Sequence, residues 1–353
     1  MCKELYKWKI SEELRSRSVY TDTANEDEND VITSEVNILD RHKTFMDDQG
    51  HKDVVYKLPY AYLTVKCHKD PIGSRFIVGV AGEKQNEGHG NDLSIVEKLH
   101  NASTKPLQCS TTFASKWLDE ELKKVMQLLE TKNKKLIAEH GISRYWIIED
   151  MDKFFYELKV KDSLGKLKGK RPRTTDFTTM YTSLFQLHII NNLKIAVREA
   201  LDFNAQCDAR HHQDMATLEK ITNHVQFIVK NTYIANDPEN IRHQTKGIPM
   251  GTNCAPRLAN LTLYVDEAKF VDGLLARNQI NEAKLHCHTK RFIDDMITFG
   301  VAPPEPRWYD DLQHTETTKD FHVEFLGAKI RNKEDGHLQL WAFSTSLMNG
   351  VFQ

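Results

Sequence analysis

Residues 291–299 read Arg-Phe-Ile-Asp-Asp-Met-Ile-Thr-Phe, and the adjacent carboxylates of Asp294 and Asp295 leave this segment few ways to fold. The apolar residues on both sides call for strands with a buried face, and successive side chains of a strand point to opposite faces. A continuous buried strand would drive one of the two acids into the core unpaired, which is severely unfavourable. A tight β-hairpin with the acids at its tip avoids that cost. A solvated turn accounts for an isolated Asp-Asp equally well, so the pair takes on chemical meaning only from other parts of the chain.

Two other segments bear on it. In Thr174-Thr175-Asp176-Phe177-Thr178-Thr179-Met180-Tyr181, an acid stands at the end of a predicted strand, just before a helix. Asp176 could meet the Asp294 tip across a sheet from there, or serve merely as a helix N-cap. The second segment is Gly247-Ile248-Pro249-Met250-Gly251-Thr252-Asn253-Cys254-Ala255-Pro256-Arg257-Leu258-Ala259-Asn260. Its glycines and prolines make a loop that lets backbone approach a ligand closely. It also reads as an ordinary helix entry, with Thr252 or Asn253 as cap. Converging aspartates suit magnesium, which takes hard oxygen ligands and keeps several waters. In-line phosphoryl transfer to a primer end uses two such ions about 4 Å apart, one on the attacking oxygen and one on the triphosphate.

Periodicity predicts an α+β chain around these segments. Tyr60–Val65 and Arg75–Val80 are β-rich and flank a polar turn at 68–74, which reads as a hairpin with a long loop. Amphipathic helices are predicted across Trp117–Leu129, Leu184–Phe203 and Met215–Val229, and after Gly251 with Pro256 near the first turn. In the last third, Val323–Ile330 and Leu338–Phe343 flank Asp335-Gly336, a hairpin signal. Strands separated by helices and followed by hairpins imply an antiparallel sheet packed on helices. Residues 21–53 carry ten Asp and Glu with few aromatics and read as a loose acidic segment, poorly ordered.

The formal net charge of −2 over 353 residues excludes a whole-body basic field, so any attraction to phosphates must be local. Lys161, Lys166, Lys168, Lys170, Arg171 and Arg173 form one such run; ordinarily a solvated loop, it could otherwise be a nucleic-acid track or a nuclear address. No run of 18 apolar residues is present to span a membrane. The first residues lack the apolar stretch of a secretory signal. Cys2, Cys67, Cys109, Cys207, Cys254 and Cys287 show no C-x-x-C spacing and read as reduced thiols of an intracellular protein. In His286-Cys287-His288, adjacent ligands cannot close a tetrahedral zinc site alone. That segment and His211-His212 are expected to be solvated loops.

Taken in order, Asp176-x4-Tyr181, the Gly247–Gly251 loop with Pro256 and Ala259-Asn260, and Phe292-Ile293-Asp294-Asp295 resemble motifs A, B and C of reverse transcriptases. Upstream, Leu63-Thr64-Val65-Lys66-Cys67-His68-Lys69 followed by Arg75-Phe76-Ile77-Val78 looks like fingers motifs 1 and 2. Downstream, Val323-Glu324-Phe325-Leu326-Gly327 looks like the primer-grip hairpin, motif E. The wording, above all Lys66-x-His68-Lys69, Met250 and Cys254-Ala255-Pro256, is most similar to Penelope-like element reverse transcriptases, which are related to telomerase. The resemblance covers residues 54–343.

It implies a right-hand polymerase: an α+β fingers-palm with an antiparallel palm sheet packed on helices. Residues 1–53 would be the acidic N-terminal segment, 54–175 fingers and a helical insertion, 176–321 the palm, and 322–353 the primer-grip hairpin with a short C-terminus. The implied activity is RNA-directed DNA polymerisation by a retroelement, in the nucleus, with an RNA template, a DNA primer, dNTPs and two magnesium ions, manganese substituting. Asp176, Asp294 and Asp295 would hold the metals. Arg75 with Lys66 or Lys69 would grip the triphosphate, as a guanidinium fork and a lysine point charge both suit phosphate. Phe177, Gly247, Gly251 and Tyr181 would line the nucleotide, and Phe325-Leu326-Gly327 would brace the primer end. Lys246 stands where many relatives carry Gln, which makes Gln244 the neighbouring candidate for that role. The spacer from Arg75 to Asp176 is long and partly helical, and neither a thumb nor a GIY-YIG nuclease is recognisable.

An RNA-dependent RNA polymerase would share the palm and the acids, but usually places a polar group beneath the sugar, where Tyr181 sets a phenol ring. A domesticated, non-catalytic nucleic-acid-binding protein would share the fold alone and would not need three intact acids.

Overall fold

The computed structural model describes residues 3–16, 19–22, 35–50, 56–66, 73–79, 108–207, 215–235, 241–310, 312–318 and 322–342. Its first half runs α1 (Lys3–Ser16), β1 (Tyr20–Asp22), α2 (Glu35–Asp48), β2 (Tyr56–Lys57), β3 (Tyr60–Lys66), β4 (Gly73–Gly79), β5 (Gln108–Cys109), α3 (Thr112–His140) and α4 (Met151–Ser163). Then come β6 (Pro172–Phe177), α5 (Met180–Ser183), α6 (Gln186–Cys207), α7 (Met215–Lys230), β7 (Tyr233–Ala235), β8 (Ile241–Gln244) and α8 (Ala255–Ala276). The last elements are α9 (Ile280–Leu285), β9 (Lys290–Phe292), β10 (Asp295–Phe299), β11 (His314–Glu316), β12 (Val323–Phe325), β13 (Ala328–Asn332) and β14 (Leu338–Ala342). Two units emerge, each built from two stretches of chain: Met1–Glu121 with Glu219–Ala255, and Leu122–Leu218 with Pro256–Gln353. The sequence-based segments, by contrast, are consecutive.

In the first unit, β3 and β4 pair antiparallel from Tyr60↔Gly79 to Lys66↔Gly73, the expected hairpin; its connecting residues 67–72 lie outside the described residues. β1, β8 and β7 form a small sheet in that order. The acidic segment departs from expectation. Residues 35–48 are helical because Ile38, His42 and Met46 recur every four residues and bury one face. Phe45 of this helix stacks on Phe227 at 4.0 Å, and His42 meets the same ring edge-on at 5.1 Å. Charge density alone had pointed to a loose segment, whereas one apolar stripe is enough to dock a helix whose other face is solvated.

In the second unit, four strands pair in the order β11-β6-β10-β9. Side chains of β6 and β10 at alternate positions share a face, and Ile297 and Phe299 on it are fully buried. They join Phe154, Phe155 and Leu158 of α4 and Val323, Phe325 and Ile330 of the β12-β13-β14 sheet in one core cluster. Each such side chain contributes roughly 1.5–3 kcal/mol on burial. α8 is buried on every side from Leu258 to Ala268, the mark of a central helix. α6 is tied to it by Asn192, which donates to Thr262 O at 2.9 Å and to Asp266 Oδ1 at 2.8 Å. Val323–Ile330, read from sequence as one strand, is two strands broken at Leu326-Gly327, because Phe325 pairs with Ala328.

Candidate active site

Asp295 and Asp176 are direct cross-strand partners in the β10–β6 pair. Opposed residues of an antiparallel pair stand on one face with Cβ atoms about 4.5–5.5 Å apart. The two acids occupy one end of the face whose other end is the Ile297–Phe299 core. They are half-buried, so each carboxylate remains reachable from solvent.

Phe292 pairs with Asp295, so Ile293 and Asp294 form a two-residue hairpin turn. Ile293 has φ +56°, a conformation that β-branched residues rarely adopt and that hairpin turns of this length usually give to glycine. Strain of this kind persists only where surroundings over-determine it. Two bonds do so here: Phe177 N donates to Asp294 O at 3.0 Å, and Arg291 Nη1 donates to Ile293 O at 2.9 Å.

Arg291 is the residue that sequence reasoning missed. It is fully buried, although it opens the very segment that holds the acids. Its Nε and Nη2 reach Glu267 at 2.5 and 3.3 Å, and its Nη1 and Nη2 reach Asn260 Oδ1 and O at 2.9 and 3.1 Å. Burial pushes the Glu267 carboxyl upward, and the guanidinium opposes that shift. Arg291 therefore fastens the turn to α8. A usable signal was the Asn260…Glu267…Arg291 set of polar residues inside otherwise apolar stretches, since buried charges need partners.

The other predicted residues fall as follows. Tyr181 is half-buried in α5, after a tight turn in which Thr179 has φ +51°. Phe177 is 2% exposed and packs edge-on against Tyr309 at 4.9 Å, so its ring belongs to the core and only its backbone serves the acid turn. Phe325 is likewise a core residue, while Leu326 (φ +49°) and Gly327 (φ +78°) form the β12–β13 turn. In the first unit, Lys66 ends β3 and Arg75 lies on β4 opposite Thr64. Lys69 lies outside the described residues. Gln244 is buried, its Nε2 donating to Lys246 O at 2.9 Å. Gly247 and Gly251 both take positive φ, +84° and +99°. Pro249, Gly251, Thr252 and Asn253 line a cavity of about 170 Å³ with Thr111 and Ser115. Ser115 Oγ accepts from Cys254 N at 3.2 Å, which pins the loop where it enters α8.

The His286–His288 segment is not a solvated loop. His286 is 1% exposed, stacks on Trp146 at 5.5 Å and bonds Thr289 Oγ1 at 3.2 Å. His211-His212 lies outside the described residues. Cys109, Cys207, Cys254 and Cys287 are free thiols. Among the described residues no helix is long and apolar enough to cross a membrane.

Among the described residues no three His, Cys, Asp or Glu side chains already enclose a metal position. Magnesium fits such an incomplete set, since it is commonly held by one or two carboxylates plus substrate phosphates and waters. The paired Asp176 and Asp295, with Asp294 in the adjoining turn, offer that oxygen chemistry.

No family model matches the chain, and none of the curated proteins matches it. Among solved structures, telomerase from Candida tropicalis in complex with the TWJ fragment of telomeric RNA matches with a TM-score of 0.50 at 12% identity, covering 88% of this chain and 48% of that one. The apo telomerase from the same organism gives 0.49 at 12% identity over 88% and 52%, and its form truncated from the C-terminal domain gives 0.47 at 13% over 92% and 63%. The chain thus spans about half to three-fifths of the length of these structures. At such identity the likeness is one of fold alone: helices with antiparallel sheets, as in that telomerase structure.

Proposed function

We propose that this chain is an RNA-directed DNA polymerase of the reverse-transcriptase kind, adding dNTPs to a DNA primer on an RNA template. The observation that carries the reading is the direct Asp176↔Asp295 pairing beside a strained turn that holds Asp294. The wording of the motifs supports a Penelope-like retroelement origin and a nuclear site of action. Two magnesium ions, when bound, would activate the primer 3′-oxygen and neutralise triphosphate charge.

The chain's own residues do the rest. Asp176, Asp294 and Asp295 concentrate negative charge at the open end of the sheet. Arg291 and the Phe177 backbone keep the turn from relaxing, so that little reorganisation is needed during reaction. Arg75 and Lys66 provide cations for phosphate oxygens, and Tyr181 excludes a 2′-hydroxyl.

The test is extension of a DNA primer on an RNA template, with dNTP and NTP mixtures compared in magnesium and in manganese. Templated dNTP addition is expected with either metal. It should be lost in Asp295→Asn while the thermal melt stays parental. Absence of templated addition under both metals, or parental rates in the variant, would overturn the reading.

A further inference from the structure

Two sequence features play no part in the site above: the basic run at 161–173 and the His286–His288 turn. The structure brings them together at the far end of the palm sheet. β10 runs from Asp295 to Phe299, and Gly300 N donates to Arg171 O at 2.9 Å. That end lies five residues, roughly 15 Å, from Asp295.

A small cleft there is lined by Lys161, His288, Lys290 and Glu157 over an apolar floor of Leu167 and Phe299. Lys166 and Lys170 add their charge from the adjoining loop. Among the described residues, the nearby ion pairs join Lys153 to Glu130 and His337 to Asp162, and leave Lys161, Lys166, Lys170 and Lys290 without a carboxylate partner. His288 Nδ1 is buried with no hydrogen-bond partner. Burial and then Lys161 pull the Lys290 ammonium down to about 8. Burial, then Lys170, Lys161, Lys166 and Lys290, pull the His288 ring down to about 4. Glu157 offsets only part of this positive charge.

The cations are also held in place. Leu167 is fully buried, Lys166 N donates to Lys161 O at 3.0 Å, Lys170 N to Leu167 O at 2.9 Å, and Gly169 N to Gly336 O at 2.8 Å. A loop tied down in this way cannot straighten into an extended address peptide, but it presents a fixed row of charges. Cations held together at the expense of their own protonation favour an anion. The cleft measures about 10 Å³, enough for one water or one anionic oxygen. A whole small ligand does not fit, so the partner lies across the cleft and extends beyond it.

We propose that Lys161, Lys166, Lys170 and Lys290, around His288, form a phosphate-binding strip for the backbone of a single nucleic-acid strand, away from the acids. The strip does not depend on the polymerase reading. Its test is the binding of a labelled single-stranded RNA of ~20 nucleotides, followed by anisotropy over roughly 50–300 mM salt. Lys166→Ala/Lys170→Ala and Lys161→Gln/Lys290→Gln should each weaken binding about tenfold near 0.1 M salt and lower the salt slope by ~1.4, two contacts at ~0.7 each. Lys166→Arg/Lys170→Arg should stay within about twofold of the parent, since charge is kept.

Unchanged affinity and slope in a Lys166→Ala/Lys170→Ala protein with a parental melt would overturn the strip. So would an equal loss in the arginine pair, or displacement of the RNA by inorganic phosphate at matched ionic strength. The strip is read by RNA affinity and its salt slope and the polymerase reading by templated dNTP addition, so failure of one and failure of the other register in different assays.

Discussion

Arg291 places all five of its N–H groups on Glu267, Asn260 and Ile293. Lysine carries the same charge but has three donors on a compact head, so it cannot reproduce that fork. Arg291→Ala leaves Glu267 buried without its partner and should cost about 3–5 kcal/mol. Arg291→Lys should retain part of that stability, yet lower primer extension at least tenfold, because the carbonyl of Ile293 is released. Melting curves beside kcat and KM check this; a drop in KM alone, or extension that simply follows the folded fraction, would reduce Arg291 to a core ion pair. Tyr181 tests the choice of sugar. Tyr181→Ala should leave dNTP addition largely working and raise NTP incorporation ~10–100-fold, a ~1.4–2.8 kcal/mol change in discrimination. The measurement is the ratio of kcat/KM for a dNTP and its matching NTP; an unchanged ratio in an active variant would reopen the RNA-polymerase reading.

At the scale of elements, α2 decides whether the acidic segment contributes to the fold. Met46 is fully buried, so Met46→Ala should destabilise the protein by about 2–5 kcal/mol. A loose surface segment would show a change within roughly 0.5 kcal/mol, and a denaturant midpoint separates the two. This helix also marks where sequence reading stops. Amphipathic patterns gave α6, α7 and α8 with ends moved by a few residues and α3 with its end eleven residues short, while β-rich composition gave β3 and β4 and the adjacent acids gave the acid hairpin. α2 was hidden because five apolar or aromatic positions in fourteen are outweighed by charge when composition is averaged. α4 was hidden because its apolar face packs mainly on partners far along the chain, Ile297 and Phe299 of β10 and the β12–β14 sheet. In the candidate site, the pairing of Asp176 with Asp295 could be anticipated from motif order. The burial of Phe177, of His286 and of the Arg291 network could not, because each depends on partners about 20 to 140 residues away.

Across the whole molecule, burial of neutral histidine sets the response to acid. His42 in the first unit and His286 in the second are each 1% exposed and titrate near 4, His42 through burial and then Arg41, His286 through burial. In the unfolded chain a histidine titrates near 6.5. Between about pH 6.5 and 4 the unfolded state therefore binds more protons than the folded state, so stability is fully present above 6.5 and falls as the pH drops through that window. The loss approaches its ceiling, about 3 kcal/mol for each ring, only near pH 4. The two rings have different neighbours, His42 beside Ser110 Oγ at 2.8 Å and His286 against Trp146, so each unit carries its own sensor. His286→Phe keeps the stacked ring and removes the proton uptake; His42→Phe does the same against Phe227. Both variants should lose roughly 1 kcal/mol at pH 7.5 with the side-chain hydrogen bond, yet lose less than the parent between pH 6.5 and 5. Urea midpoints at pH 7.5, 6.5, 5.5 and 5 measure the slope, which is expected to flatten by up to one proton for each substitution. If both variants keep the parental slope, the two histidines are already charged in the folded chain and the acid sensitivity comes from elsewhere.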